Sequence, residues 1–245
     1  MEVTCPERGR PAAGSGQQRR GGNAAAGTTA GHVPRAWAMR NDGARDLEDH
    51  VTISLPIEPD ANALLTRDPL ALLIAMLLDQ QVPLERAFSA PYDLATRLGH
   101  EPTAPELADY DPGALAAVFT ERPALHRYPK AMAARVQELC RLIVARYDGD
   151  AGRIWGTAAD GAELLKRIAE LPGFGPQKAQ IFVALLGKQL GVQPPGWREA
   201  AGHFGDADAC YSVADISDDD TLARVRAHKQ QLKAAAKAKA GAKTR

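Results

Sequence analysis

Apolar residues recur along most of the chain at three- and four-residue steps, the spacing of a helix that buries one face. The pattern predicts helices over Leu70–Gln81, Pro105–Tyr110, Ala114–Thr120, Pro129–Tyr147, Ala162–Leu171 and Pro176–Leu190, the last closed by Gly191. Four starts are also marked chemically. Asp68-Pro69 and Asp111-Pro112 set an acid before a first-turn proline, and Thr103/Glu106 and Asp160/Glu163 have capping-box spacing. Apolar and polar residues alternate only from Val51 towards Ile57, and Pro56 interrupts them, so at most one short extended segment is expected. The expected fold class is all-α.

Composition adds the boundaries. Residues 1–48 are rich in Gly, Ala, Arg, Ser and Gln and carry no apolar periodicity, which reads as a disordered N-terminal extension. Residues 49–220 read as the helical domain, and residues 221–245 as a basic C-terminal helix or tail that opens after Asp218-Asp219-Asp220. The chain has 245 residues, 45% apolar and 24% charged, enough for a sizeable core. Thirty basic and thirty acidic residues cancel, which argues against a uniformly basic nucleic-acid coat. The charges are nevertheless segregated: residues 221–245 hold eight Lys/Arg and no acid, and residues 121–200 hold twelve basic and eight acidic residues. A polyanion has one stretch and one tail to meet, although such a tail is equally readable as a solvated basic run.

Cys5, Cys140 and Cys210 are odd in number and widely spaced, so they write neither a disulfide framework nor a zinc or iron–sulfur ligand set. That usage suits a reducing cytoplasm. The longest apolar run, Pro69–Leu78, is about half of what a bilayer-spanning helix needs, and no membrane partner is expected.

The chemistry concentrates in Leu171-Pro172-Gly173-Phe174-Gly175-Pro176-Gln177-Lys178-Ala179, between two predicted helices. Two glycines one residue apart permit a tight turn whose N–H groups point outward at the start of the next helix, where the dipole also favours an anion. Such a turn grips a phosphate without side-chain charge; the plain alternative is an ordinary helix–helix connector. This stretch resembles the helix-hairpin-helix of the HhH-GPD superfamily of base-excision repair DNA glycosylases, which includes the endonuclease III and alkyladenine glycosylase types. Leu77-Leu78-Asp79-Gln80-Gln81-Val82 is similar to that family's Leu-Leu-Ser-x-Gln segment. There the glutamine fills the gap left by an extruded base, the role the resemblance implies for Gln81. Arg127-Tyr128-Pro129-Lys130-Ala131 resembles the start of the helix that precedes the hairpin helices, so Tyr128 and Lys130 face either a phosphate backbone or solvent. In order and spacing, residues 60–205 fit.

The resemblance implies a two-lobed helical fold with the hairpin at the rim of a cleft. It implies damaged duplex DNA as partner, a monomer that joins the nucleoid when bound, and removal of a flipped base by hydrolysis of its N-glycosyl bond. It also departs from the family. Gln177 stands where bifunctional members carry the Schiff-base lysine, and Pro195 stands at the position of the catalytic aspartate. Lys178 is rotated about 100° from Gln177 on a helix, so a β-lyase is not expected. Glu199 is the first candidate for a substitute acid, ahead of Asp206 and Asp208, because Gln193–Glu199 departs from the family pattern. Trp197 reads either as a stacking platform or as core. No iron–sulfur cofactor is expected, and a monovalent cation at the hairpin turn is compatible with the resemblance. The alternative reading is a DNA lesion- or structure-binding protein without catalysis, and a third is a helical protein–protein module whose hairpin is a connector.

Overall fold

The computed structural model describes residues 52–242, so the extension read at 1–48 lies outside the described residues. Among the described residues there are eleven α-helices and no strand. They are α1 (Pro59–Arg67), α2 (Pro69–Leu78), α3 (Leu84–Leu98), α4 (Ala104–Asp109), α5 (Pro112–Thr120), α6 (Pro129–Tyr147), α7 (Arg153–Gly156), α8 (Gly161–Ala169), α9 (Pro176–Gln189), α10 (Trp197–Ala201) and α11 (Asp219–Ala242), with 3-10 turns at Gly202–Gly205 and Val213–Asp215.

All four chemically marked starts form. Asp68 accepts from the Leu70 N–H at 2.8 Å, Asp111 from Ala114 at 2.7 Å, Thr103 from Glu106 at 3.3 Å and Asp160 from Glu163 at 2.8 Å. Each such cap is worth about 1 kcal/mol. The segment before α1 is extended without a sheet: Asn62 brackets Leu55 by accepting from its N–H and donating to its carbonyl, and Ile53 donates to Thr66. Ile53 and Leu55 are thereby buried on α1.

The largest departure from the predicted elements is α3, which carries Pro91 in its interior and is absent from the periodicity reading. A proline there forfeits one helical hydrogen bond. Burial of Ala87, Phe88, Leu94 and Ala95 along the same helix offsets it. The helix predicted to run to Gln81 stops at Leu78, and the residues after it form a turn in which Gln81 has φ +57°.

α1 to α3 pack together, α4 and α5 pack on α6, and α2 and α3 tie the two sets together. On the other side α8, α9 and α10 form a second packed set, with the Val213–Asp215 turn between α9 and α11. Every residue of α2 after its proline is buried, as expected of a helix apolar on all sides. α10 lies close on α9 because Gly187 leaves room for the Trp197 ring; a Cβ there would sit 2.4 Å from it. Trp197 is only 7% exposed, so its role is core packing, not stacking on a strand. The packed core also extends past residue 220, since Leu222 and Val225 of α11 are buried. No single described helix is long and apolar enough to cross a membrane.

Candidate nucleic-acid interface and cleft

The hairpin forms as a tight turn from Leu171 into α9. Leu171 and Phe174 are buried and hold it down, and the Phe174 N–H donates to the Leu171 carbonyl at 3.0 Å. Gly173 has φ +81°, and a Cβ on it would lie 2.4 Å from the Leu77 Cδ1. Glycine is therefore required there twice, by conformation and by contact. Gly175 is different: its φ is −80° and open space surrounds the position a Cβ would take. The expectation that both glycines shape the turn is corrected to Gly173 alone.

No side chain caps α9, and among the described residues the N–H groups of Gly175, Gln177 and Lys178 meet no acceptor. Gly173, Gly175, Pro176 and Gln177 are exposed and Pro172 is half-buried. An outward row of N–H groups at the positive end of a helix suits a phosphate oxygen.

Lys178 turns the other way. Its ammonium donates to the carbonyls of Met76 at 2.8 Å, Leu77 at 3.3 Å and Asp79 at 3.2 Å, which satisfies the C-terminus of α2. Burial lowers its pKa to about 8, with Asp79 opposing. As a DNA contact through its side chain, Lys178 is therefore corrected: what it presents outward is its N–H.

The turn after α2 is clamped on both sides. His126, buried, accepts the Tyr128 N–H on Nδ1 at 3.0 Å, so Nε2 carries the proton and donates to the Gln80 carbonyl at 2.8 Å. The Gln80 amide donates to the Leu77 carbonyl and accepts from Arg135. Gln81 stands exposed beyond this clamp, with the Tyr128 hydroxyl donating to its side-chain oxygen at 3.4 Å. The structure thus brings Gln81 and Tyr128 together, next to the hairpin. Lys130 is exposed at the start of α6.

Beside the two turns opens a cleft of about 440 Å³, lined by Asp79, Gln177, Ile181, Tyr211, His228 and Lys229 and by the segment His203–Phe204 and Ser212–Val213. A second hollow, at Leu64, Ala71 and Pro91, holds about 10 Å³, room for roughly one water. The wall of the cleft is aromatic: Tyr211 lies 4.7 Å from the His228 ring and 5.6 Å from His203, which stacks on Phe204 at 3.9 Å between centroids. Tyr211 is held by Asp215, whose carboxylate accepts from the N–H groups of Tyr211 and Ser212 at 2.9 and 3.0 Å. Lys188 pairs with Asp215 at 2.5 Å. Gln189 donates to the carbonyls of Val213, Ala214 and Ile216 and secures the same segment.

Gln177 lines the cleft as its place in the motif predicts, and Pro195 does not; its carbonyl accepts from the Gly161 N–H at 2.8 Å. Glu199 is exposed on α10 and is not among the lining residues, nor are Asp206 and Asp208. None of the acids named as substitutes therefore reaches the cleft. The carboxylate that does is Asp79, which the periodicity treats as the end of an apolar helix. Its sequence signal is an acid where the resembled Leu-Leu-Ser-x-Gln pattern has serine. His203, Tyr211, His228 and Lys229 had no comparable signal. Among the described residues no group of three His, Cys, Asp or Glu is placed to hold a metal ion.

Residues 74–243 match the family model described as HhH-GPD superfamily base excision DNA repair protein. No curated protein and no solved structure gives a significant match. The match begins in α2, takes in both turns and the cleft, and runs through α11, across the boundary that charge alone suggested at residue 220. Together with the all-helical architecture, it establishes that the chain belongs to the HhH-GPD superfamily of base excision DNA repair proteins.

Proposed function

We propose that this protein is a monofunctional DNA N-glycosylase that binds damaged duplex DNA, flips one base into the aromatic-walled cleft and hydrolyses its N-glycosyl bond. The observation that carries this reading is the adjacency of three parts: an outward N–H row at α9, an exposed glutamine on a clamped turn, and a cleft large enough for a planar base beside both. The N–H row holds the backbone and fixes register, Gln81 fills the vacated stack, and Tyr211 with His228 offers ring faces to the flipped base. Gln177, at the position where bifunctional members carry the Schiff-base lysine, offers amide hydrogen bonds but no amine; Lys229, the lysine among the lining residues, comes from α11 and not from that position, and this reading gives it no covalent role.

The deciding experiment is a panel of duplexes with alkylated, deaminated, oxidised or mismatched bases, scored separately for binding and for base release. Release from at least one duplex without strand cleavage is expected. Borohydride added during incubation should trap no covalent complex. Trapping by wild type, whether Lys229→Ala or Lys178→Ala abolishes it, would overturn the monofunctional assignment.

The second reading, a lesion-binding protein without catalysis, is favoured by Pro195 at the aspartate position. Tight, salt-dependent binding with no base release from any duplex would select it.

A further inference from the structure

The turn after α2 holds a carboxylate with no assignment so far. Asp79 faces the cleft beside Gln177, half-buried. Among the described residues no donor lies within hydrogen-bond range of its carboxylate and no cation within 4.0 Å. The charges nearest in effect are Lys178 of α9 and Lys229 of α11, and both lower its pKa, yet burial outweighs them and raises it overall. Asp215, the other acid close to the cleft, is in the opposite condition, engaged by Lys188 and two N–H groups. A carboxylate withdrawn from water and left without a partner is unfavourable in the free protein. Such groups gather where chemistry is done.

On the glycosylase reading above, we infer that Asp79 is the catalytic carboxylate of this cleft, reached from the turn that carries Gln81 and not from the segment after the hairpin.

The bond from C1′ to the base nitrogen breaks with its electron pair passing to the base. The positive charge that develops on the sugar is stabilised by the ionised Asp79. Water adds through oxygen to C1′, its proton passes to the Asp79 carboxylate, and the carboxylate returns that proton to the departing base nitrogen. One water is consumed, and a free base and an abasic sugar are formed. A carboxylate whose affinity for protons is raised towards the working pH serves both transfers better than an ordinary one. Lys178, Lys229, His203, His228 and Tyr211 are the other titratable groups around it, and the two lysines favour its ionised form.

The test compares wild type with Asp79→Asn and Asp79→Ser. The second puts at this turn the residue of the resembled pattern, and so supplies a second, independently folded variant. Single-turnover base release is measured on the substrate duplex found by the panel. Affinity is measured on a duplex with a tetrahydrofuran abasic analogue. Both variants should release base at least about 100-fold more slowly and bind the analogue duplex within about threefold of wild type. The wild-type rate should climb with pH along an acid limb that the residual activity of the variants lacks. Asp79→Asn should melt no lower than wild type near neutral pH. The sign follows from linkage: a carboxyl with a raised folded-state pKa stabilises below its unfolded value and loses that contribution as pH rises through the folded one. If either folded variant keeps more than a tenth of the wild-type rate, or if Glu199→Gln loses release while Asp79→Asn does not, Asp79 is not the carboxylate and the glycosylase reading stands. If no duplex in the panel loses a base to wild type, that reading falls and this inference with it.

Discussion

The turn that ends α2 and the turn that opens α9 lie against each other, with Leu77 filling the space that Gly173 leaves and Lys178 reaching back to three α2 carbonyls. They present different things. The α9 turn displays backbone N–H groups and asks of its residues only conformation and smallness. The α2 turn displays side chains, Asp79 into the cleft and Gln81 outward, and is clamped by His126 and Arg135 so that those side chains stay put. A backbone site can hold any phosphate, since phosphate contacts carry no lesion information. On the proposed glycosylase reading, discrimination between bases falls to the α2 turn and the aromatic wall.

Breaking the first turn should produce the largest effect. Gly173→Val forces a β-branched residue to positive φ and drives a methyl into Leu77, at a cost of about 3 kcal/mol. The melting temperature should fall by roughly 10 °C, and duplex binding should fail. Gly175→Val is the sharper arm, because its φ is ordinary and its surroundings are open. Stability should hold while the added bulk keeps phosphate from the N–H row. If the folded Gly175→Val protein binds duplex DNA as well as wild type, the row is not the phosphate site and the two turns do not divide the work as described.

The link between the turns comes next. Lys178→Met leaves α2 carbonyls without their donor, a loss of about 1–2 kcal/mol. The sign with pH follows from a folded-state pKa of about 8, pushed by burial below the ordinary lysine value of 10.5. The lysine's stabilising contribution is complete above its unfolded value and fades as pH falls through about 8. The variant should therefore lag wild type most near pH 10 and least near pH 7, as read from thermal melts across that range. A constant difference at all pH values would mean that the amine has the same pKa in the folded and the unfolded chain.

How far these regions are legible in the sequence follows from how local their physics is. The hairpin is contiguous, and its glycine, proline and flanking apolar residues state their own conformational reasons, so it is readable as a string. Even there, Gly173 and Gly175 look alike until the Leu77 contact separates them. The cleft is not contiguous. Its walls come from the end of α2, the start of α9, the 203–213 segment and α11, and no periodicity connects Asp79 with Tyr211 or His228. α3 hid behind Pro91, whose penalty is overcome by burial that only the tertiary fold supplies. Glu199 stands out in the sequence because it lies in the segment that departs from the family pattern. The fold turns that segment towards α8 and uses Trp197 as core.

A smaller effect separates conformation from function within the α2 turn. Gln81 occupies φ +57°, a region that costs a residue with a Cβ about 1 kcal/mol. Gln81→Gly should relieve that strain and raise stability by about 0.5–1 kcal/mol, while affinity for a duplex with an abasic analogue drops about tenfold for want of the wedge. Gain and loss are read on the same preparation, by melting and by equilibrium binding. Affinity that stays at the wild-type value would remove Gln81 from the interface.

The smallest expected change concerns α11, and it tests whether charge outside the two turns adds anything but attraction. The first half of this helix belongs to the domain: Leu222 and Val225 are buried, Arg226 pairs with Glu85 of α3, and His228 and Lys229 line the cleft. A deletion beginning at residue 229 would remove Lys229 from the cleft and confuse the two roles. Deletion of residues 232–245 instead removes Lys233, Lys237, Lys239, Lys243 and Arg245 and leaves the cleft intact. Each phosphate no longer neutralised lowers the steepness of log affinity against log salt by about 0.9. The truncated protein should therefore bind about threefold more weakly near physiological salt, with a slope shallower by about one to two. Its preference for damaged over undamaged duplex should not change, because contacts of this kind add equally to both. An unaltered slope would assign all phosphate contact to the folded domain, while a changed preference would extend the discriminating surface beyond the α2 turn and the aromatic wall.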